Sequence, residues 1–327
     1  MDTSRRSAIT GGAALMLGGW ATRSAAQGAG TYPSGPVKIV VGFTAGGPTD
    51  LAARLIAGKL QTAMGQTFVV ENRAGAGSNL ASEIVAAAPP DGHTLLMAAA
   101  PLAINGHLYR NLKYDVLKSF EPITQVMSAP CILAVRPDSF KTMAELVAAA
   151  RQQPGKLSYS SSGAGGSQHL AGELLQQKAG IKLIHVPYKG AAPALNDVLG
   201  GQVSMGFMTS LGSVPYFTSG KLRAVAVAAP QRLPQLPDVP TMAEVGFPGV
   251  EVNSWSGLLA PARTPADIVA QLQRETAKAL AAADVREKLT SQGAVVVGGT
   301  SAEFAAYLAR EHGEYGKLIR SINLTLD

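Results

Sequence analysis

Short apolar runs alternate with amphipathic runs along this chain, and the alternation constrains its fold more than any other feature. Residues 37–43 form a mainly apolar run, with Lys38 as its one charged residue, that is typical of a strand. Residues 50–64 follow, with apolar side chains recurring at the spacing of one helix face. This order repeats to about residue 100 and starts again near residue 129. The repetition predicts an α/β fold with largely parallel strands.

The two blocks of alternating runs predict two domains. A chain of 327 residues can bury a large core and commonly divides in two. Residues 249–327, with three helical stretches after Pro265, are expected to return to the first block. We therefore predict one domain from residues 27–128 plus 249–327 and a second from residues 129–248. Two crossings between domains are typical of a hinged clamshell with a ligand cleft.

Residues 1–26 have the pattern of a cleavable signal peptide. Arg5 and Arg6 precede an apolar run, residues 8–20, and the small residues Ser24 and Ala26 mark a cleavage site. The run is shorter than the roughly 20 residues that a membrane-spanning helix needs. The mature protein, starting at Gln27, is expected in the periplasm. The paired arginines suggest the twin-arginine route, and the general secretory route remains open.

Composition and motif spacing argue against the binding of nucleic acids, metal ions and nucleotide cofactors. The formal charge of +6 is spread along the chain without a cluster of basic and aromatic residues, so we expect no nucleic-acid binding. No histidine pair has chelating spacing, so no zinc site or other dedicated metal site is predicted. A hard cation held jointly by a carboxylate ligand and backbone oxygens stays open as an alternative. The glycine-rich segments lack the third glycine of a dinucleotide fingerprint and the Lys of a P-loop, so no cofactor is predicted. The single Cys131 is expected to be buried.

Two glycine-rich segments are the strongest candidates for a binding site. Residues 43–50 and 160–169 each lie between a predicted strand and a predicted helix. Ligands of α/β proteins bind beyond the carboxyl ends of strands, where glycine allows close approach and helix N-termini attract anions. The two segments therefore predict a site for a carboxylate or phosphate.

Two polar residues in these segments have alternative roles. Asp50 either caps the following helix or receives an ammonium or hydroxyl group of a ligand. His169 either forms a local hydrogen bond at a helix start or contacts the ligand. The chain has no Gly-x-Ser-x-Gly elbow, which argues against a serine hydrolase.

A series of short motifs runs through nearly the whole mature chain in a characteristic order. They are Tyr32-Pro33, the segment 43–50, Glu71-Asn72-Arg73, Pro90-Asp91-Gly92-His93, the segment 163–170, Val186-Pro187-Tyr188-Lys189-Gly190, Pro237-Asp238-Val239-Pro240-Thr241 and Trp255-x-Gly257-Leu258. This series resembles the substrate-binding receptors of tripartite tricarboxylate transporters, the Bug family.

The resemblance implies two Rossmann-like α/β domains that form a type II-like Venus flytrap of the periplasmic binding proteins. It implies a monomer that captures a small carboxylate, such as a di- or tricarboxylate or an aromatic acid, for membrane transporter subunits, without catalysis. Two alternatives stay open: a ligand-sensing receptor for a membrane signalling partner, and an exported hydrolase.

The resemblance also implies a set of ligand-binding residues on both domains. From the first turn these are Phe43, Ala45, Gly46, Gly47, Thr49 and Asp50, and from the second Ser160, Gly163, Gly166, Ser167 and His169, with Pro187, Tyr188 and Lys189 nearby. Lys189 either pairs with a ligand carboxylate or is a solvated loop residue. Tyr188 either lies beside the ligand or packs the domain interface.

One position departs from the family pattern. Where the resemblance implies an aspartate after Phe207, this chain has Met208, which we include among the ligand-binding residues. Loss of the carboxylate predicts a ligand whose end at this position is less polar.

Overall fold

Strands and helices alternate through most of the computed structural model, which describes residues 32–325. The predicted signal peptide, residues 1–26, lies outside the described residues. The strands are β1 (Val37–Val41), β2 (Phe68–Asn72), β3 (Thr94–Ala99), β4 (Phe120–Val135), β5 (Ser158–Ser161), β6 (Ile184–Pro187), β7 (Met205–Thr209), β8 (Arg223–Ala228), β9 (Asn253–Pro261) and β10 (Val295–Gly298). The helices are α1 (Pro48–Met64), α2 (Asn79–Ala86), α3 (Pro101–Asn105), α4 (Met143–Gln152), α5 (Ser167–Ala179), α6 (Ala191–Leu199), α7 (Ser210–Thr218), α8 (Ala266–Ala281), α9 (Ala283–Thr290) and α10 (Ser301–Ser321).

The first sheet has the strand order β2-β1-β3-β9-β4-β10. Strand β1 lies parallel to both β2 and β3, whereas β9 runs antiparallel to β3 and β4. The parallel strands are joined by α1 and α2, as the alternating sequence pattern predicts. The carboxyl end of β1 therefore leads directly into the turn before α1.

The second sheet has the order β6-β5-β7-β4-β8. Strand β5 lies parallel to β6 and β7, and β4 runs antiparallel to β7 and β8. The ends of β5 and β6 lead into α5 and α6. Strand β7 likewise leads directly into α7, so three strands of this sheet end at helix starts, as β1 does in the first sheet.

Strand β4 belongs to both sheets because its 16 residues pair with different partners along its length. Residues 120–130 pair with β9, and residues 131–135 pair with β7 and β8. The chain returns beside this point, where the Cys131 N–H donates to the Val252 carbonyl and Pro130 is opposite Asn253. The chain therefore passes between the sheets at two neighbouring places.

The buried apolar residues form separate cores on the two sheets. Ile39, Ile56 and Met97 belong to a core of the first sheet, and Tyr159 and Phe207 to the core of the second. A further core surrounds Trp255 and Phe304 beneath α10. Leu318 and Ile322, at the end of α10, pack against both this core and that of the second sheet.

The predicted α/β class is confirmed, and several element bounds agree closely with the sequence pattern. Helix α1 ends at Gly65, which adopts the left-handed conformation that its sequence position predicts. The apolar run at residues 132–135 alone predicts a short strand there, but β4 is longer and starts at Phe120. Residues 120–130 contain two prolines and several polar residues, which obscure the strand pattern. Within residues 32–325, no helix is both long and apolar enough to span a membrane.

Candidate ligand-binding site

Three helix N-termini from both sheets meet at one place in the fold. The N-cap residues of α1, α5 and α6 are Gly47, Gly166 and Gly190, and no side chain caps any of these helices. The first N–H groups of a helix have no acceptor within the helix and carry a positive partial charge. The arrangement therefore offers unpaired backbone donors to an anion from several directions.

A small cavity, the central chamber, lies at these helix starts. It is lined by Phe43, Gly47, Pro48, Thr49, Ala99, Pro101, Ser162, Gly166, Ser167, Ala191 and Ser254. Its volume of about 20 Å³ admits only a small group. No charged side chain belongs to its lining, so backbone and hydroxyl groups supply its polarity.

A second cavity, the apolar cavity, adjoins the central chamber through the shared residues Gly47, Pro48 and Ala191. Its volume is about 80 Å³. The rest of its lining is Gly46, Ala192, Leu195, Asn196, Met208, Thr209, Leu211, Gly212, Ser213 and Tyr216. The two cavities together provide a small polar end and a larger apolar end.

A third cavity, the outer cavity, adjoins the central chamber through Phe43 and Ser162. Its volume is about 210 Å³. The rest of its lining is Gly42, Gly75, Ala76, Gly77, Ser78, Tyr109, Gly163, Ala164, Pro187, Tyr188 and Lys189. The three cavities together are called the cleft below.

The turn before α1 is held in shape by Asp50. Its carboxylate accepts hydrogen bonds from the Gly46 N–H at 2.9 Å, from Arg54 Nε at 3.0 Å and from Asn72 Nδ2 at 3.0 Å. Burial alone would raise the pKa of Asp50, but these hydrogen bonds and the charge of Arg54 hold it below its ordinary value. The capping role considered for Asp50 is wrong, because Gly47 is the N-cap and Asp50 is the third residue of the helix.

His169 lies behind the second turn. Its Nδ1 accepts a hydrogen bond from the Gly165 N–H at 3.2 Å, and its ring stacks on His185 with the ring centroids 3.9 Å apart. Burial lowers the pKa of His169 to about 4, and burial together with His169 lowers that of His185 to about 3. Both rings are therefore neutral at pH 7, and His169 has the local hydrogen bond that was one of its two predicted roles.

Close glycine contacts join the two sides of the cleft. The Thr44 N–H donates to the Lys189 carbonyl at 3.1 Å. A Cβ atom on the neighbouring Gly190 would lie 2.2 Å from Thr44 Oγ1. A Cβ atom on Gly77 would likewise lie 2.5 Å from the Ala164 carbonyl oxygen. Larger residues at these two glycines would keep the two sides apart.

Most residues of the predicted site line the cleft. Phe43, Gly47, Thr49, Gly166 and Ser167 line the central chamber, Gly46 and Met208 the apolar cavity, and Gly163, Pro187, Tyr188 and Lys189 the outer cavity. Four predicted residues, Ala45, Asp50, Ser160 and His169, are absent from all three linings. Ser160 is fully buried and donates from Oγ to the Ala194 carbonyl at 3.3 Å.

Tyr188 and Lys189 approach the cleft in different ways. The Tyr188 hydroxyl donates to Asp197 Oδ2, and burial together with Asp197 raises the pKa of Tyr188 to about 12. Tyr188 is nevertheless one of the residues that line the outer cavity. Lys189 is exposed and lines the same cavity, while its carbonyl joins the turn at Thr44. It is the one basic residue in the three linings.

The sequence pattern does not predict that α6 lines the cleft. Ala191, Ala192, Leu195 and Asn196 line the apolar cavity, although they belong to an ordinary amphipathic pattern. Gly190, between a predicted strand and this helix, was the available signal, because it marks a third strand-to-helix turn. Within residues 32–325, no group of three His, Cys, Asp or Glu is placed to hold a metal ion.

The chain matches a known protein family over most of its length. A family model described as "Tripartite tricarboxylate transporter family receptor" matches residues 52–324. The chain belongs to this receptor family. A Pseudomonas sp. (strain P51) protein described by its position in the tcbD-tcbE intergenic region is 40% identical to the receptor over 316 residues, covering 96% of this chain and 94% of the relative.

Solved structures of the same type closely resemble the receptor. The periplasmic binding protein BugD has a TM-score of 0.86 and 36% identity, covering 90% of this chain and 99% of its own. Rpa4515 of R. palustris, solved with adipate, has a TM-score of 0.86 and 35% identity over 90% and 99% of the two chains. MatC of Rhodopseudomonas palustris, solved with malate, has a TM-score of 0.83 and 34% identity over 88% and 100%. The receptor is thus a solute-binding protein of the periplasmic type.

Proposed function

We propose that this receptor binds a small carboxylate-bearing solute in its cleft and delivers it to the membrane subunits of a tripartite tricarboxylate-type transporter. The observation that carries the proposal is the meeting of three uncapped helix N-termini, those of α1, α5 and α6, at one chamber. A carboxylate there would accept backbone hydrogen bonds that no side chain of the protein occupies. The adipate and malate bound by similar receptors support this ligand class.

The proposed receptor has two domains, residues 27–128 plus 249–327 and residues 129–248, that close on the solute. The change of pairing partners along β4 and the return of the chain at Val252 support this division. The proposed signal peptide, residues 1–26, would deliver the mature chain to the periplasm as a monomer. The order of basic, apolar and small residues in this segment supports the export step.

Binding without catalysis is supported by the chemistry around the cleft. Ser161 Oγ and His185 Nε2 lie 2.7 Å apart, which superficially resembles a nucleophile and its base. Ser161 is fully buried and belongs to none of the three cavity linings. With a pKa of about 3, His185 is a weak base at neutral pH. The pair is therefore poorly suited to attack a bound solute.

A thermal-shift screen of the mature protein, starting at Gln27, tests carboxylate binding. Organic acids should raise the melting temperature and the matching amides should not, because only the acids carry an anion for the helix N-termini. A ligand at about 100 times its Kd stabilises by roughly 2.7 kcal/mol, a readily measured shift. Equal shifts with acids and amides would argue against the anion site, and no shift with any acid would argue against the proposed ligand class.

A charge variant locates the site. Ser167→Asp places a carboxylate at the first residue of α5, where it would occupy the central chamber and also favour the helix start. We expect this variant to fold and to lose the acid-induced shift. Ala266→Asp makes the matched change at the exposed first residue of α8 and should keep the shift. Retention of the shift in Ser167→Asp would place the ligand elsewhere.

A further inference from the structure

The apolar cavity bears on which carboxylates the receptor selects, an inference that rests on the proposed function. It shares a wall with the central chamber, so a ligand whose carboxylate lies in that chamber can extend directly into it. None of its lining residues is Asp, Glu, Lys, Arg or His. A second charged group in this cavity would lose its hydration without gaining a partner.

The polar residues of the apolar cavity are largely engaged by the protein. Thr209 Oγ1 accepts a hydrogen bond from Gln168 Nε2 at 3.1 Å. Ser213 Oγ donates to the Thr209 carbonyl at 2.7 Å. Asn196 remains as a neutral polar group in the lining. The cavity therefore offers mainly apolar contact, from Leu195, Met208, Leu211, Tyr216 and Pro48.

Met208 is a fixed part of this wall. Its side chain is 2% exposed and belongs to a small core with Leu195 and Val198. Gly206, two residues earlier on the same strand, leaves space for it, because a Cβ atom there would lie 2.4 Å from Met208 Cε. Strand β7, which carries both residues, is paired with β4 and β5. The sheet thus holds Met208 in the wall of the cavity.

We infer that the receptor selects monocarboxylates whose other end is a compact, uncharged apolar group, with that end in the apolar cavity against Met208. A cavity of about 80 Å³ suits a short branched aliphatic chain or, with slight expansion, a single ring. A dicarboxylate would bind in a different mode, with its second carboxylate in the outer cavity and paired with Lys189. The two modes predict opposite ligand preferences.

Calorimetric titration of the mature protein with four acids distinguishes these modes. 3-Methylbutanoate and benzoate carry an apolar end, and adipate and malate carry a second carboxylate. We expect at least one of the first pair to bind about tenfold or more tightly than both dicarboxylates. Tighter binding of adipate or malate would overturn the apolar-end inference and leave the proposed carboxylate receptor intact. Failure of all four acids, and of a wider acid panel, would count against the proposed function itself.

Two variants test the apolar cavity directly. Met208→Asp should weaken binding of the apolar acid by about tenfold or more, whereas Met208→Leu should keep the order of preference. Ala192→Leu adds apolar volume to the cavity without burying a charge, so it tests the same site if the aspartate variant fails to fold. Ala192→Leu should weaken the binding of benzoate and of 3-methylbutanoate but change the binding of acetate little. Ala148→Leu, on the exposed face of α4, is the matched control. Unchanged affinity for the apolar acids in Ala192→Leu would overturn the inference.

Discussion

At the scale of single residues, Asp50 determines the shape of the first turn of the cleft. Its buried carboxylate accepts hydrogen bonds from Gly46, Arg54 and Asn72, and so ties the turn to α1 and to β2. We expect Asp50→Asn to lower the free energy of unfolding by about 1–3 kcal/mol at pH 7, because a charged acceptor of several hydrogen bonds is replaced by a neutral one. Urea denaturation measures the change.

The effect of Asp50→Asn should depend on pH. The pKa of Asp50 is lower in the folded protein than in the unfolded chain, where it is about 3.9. Its contribution is therefore complete well above pH 4 and is lost as the pH falls through the folded-state pKa. The difference between wild type and variant should shrink below about pH 4. Asp238→Asn, at an exposed position, is the control, and an equal loss of stability there would contradict the role given to Asp50.

At the scale of elements, α10 contains two glycines with opposite surroundings. Gly313 is exposed and a Cβ atom there would meet nothing within 4 Å. A Cβ atom on Gly316 would lie 2.6 Å from Cε1 of His107. The Nε2 of this ring donates a hydrogen bond to the His312 carbonyl at 2.8 Å. We expect Gly313→Ala to stabilise the protein by roughly 0.5–1 kcal/mol and Gly316→Ala to destabilise it by about 1–3 kcal/mol.

Chemical denaturation of the two glycine variants makes the comparison within one helix. Both substitutions raise helix propensity equally, so a difference in sign reports the tertiary contact with His107. Stabilisation by both alanines would mean that the His107 ring moves aside at little cost.

At the scale of the whole molecule, contact between the two sides of the cleft depends on Gly190. Its lack of a side chain lets Thr44 approach and donate to Lys189. We expect Gly190→Ala to favour a more open receptor, with a larger radius of gyration in small-angle scattering. Its affinity for its acid should fall by roughly 5- to 100-fold, as about 1–3 kcal/mol of overpacking implies. Gly35→Ala, where a Cβ atom meets nothing within 4 Å, is the control. An unchanged affinity and radius in Gly190→Ala would show that Thr44 adjusts without opening the cleft.

The sequence was informative where structure depends on local pattern. The bounds of α5 and the left-handed end of α1 at Gly65 follow from apolar spacing and glycine placement. The sequence could not reveal that Asn72 binds the Asp50 carboxylate, since Asn72 lies 22 residues away on strand β2. Nor could it place Ala191 and Ala192 in the cleft, because alanine at a helix start carries no chemical signal. Non-local contacts decided each of these points.

The two strand connections and the end of α10 lie close together, and this has a mechanical consequence. Strand β4 passes from the first sheet to the second near Pro130, and the chain returns to the first sheet beside this point at Val252. Leu318 of α10 lines the same surface hollow as Ser128 and Val252. The two proposed domains, joined along one short line, would retain a single easy rotation, whereas twisting and sliding would meet resistance from all the attachments. We therefore expect the receptor to move along one angular coordinate, with solute entry and release following the same path in reverse.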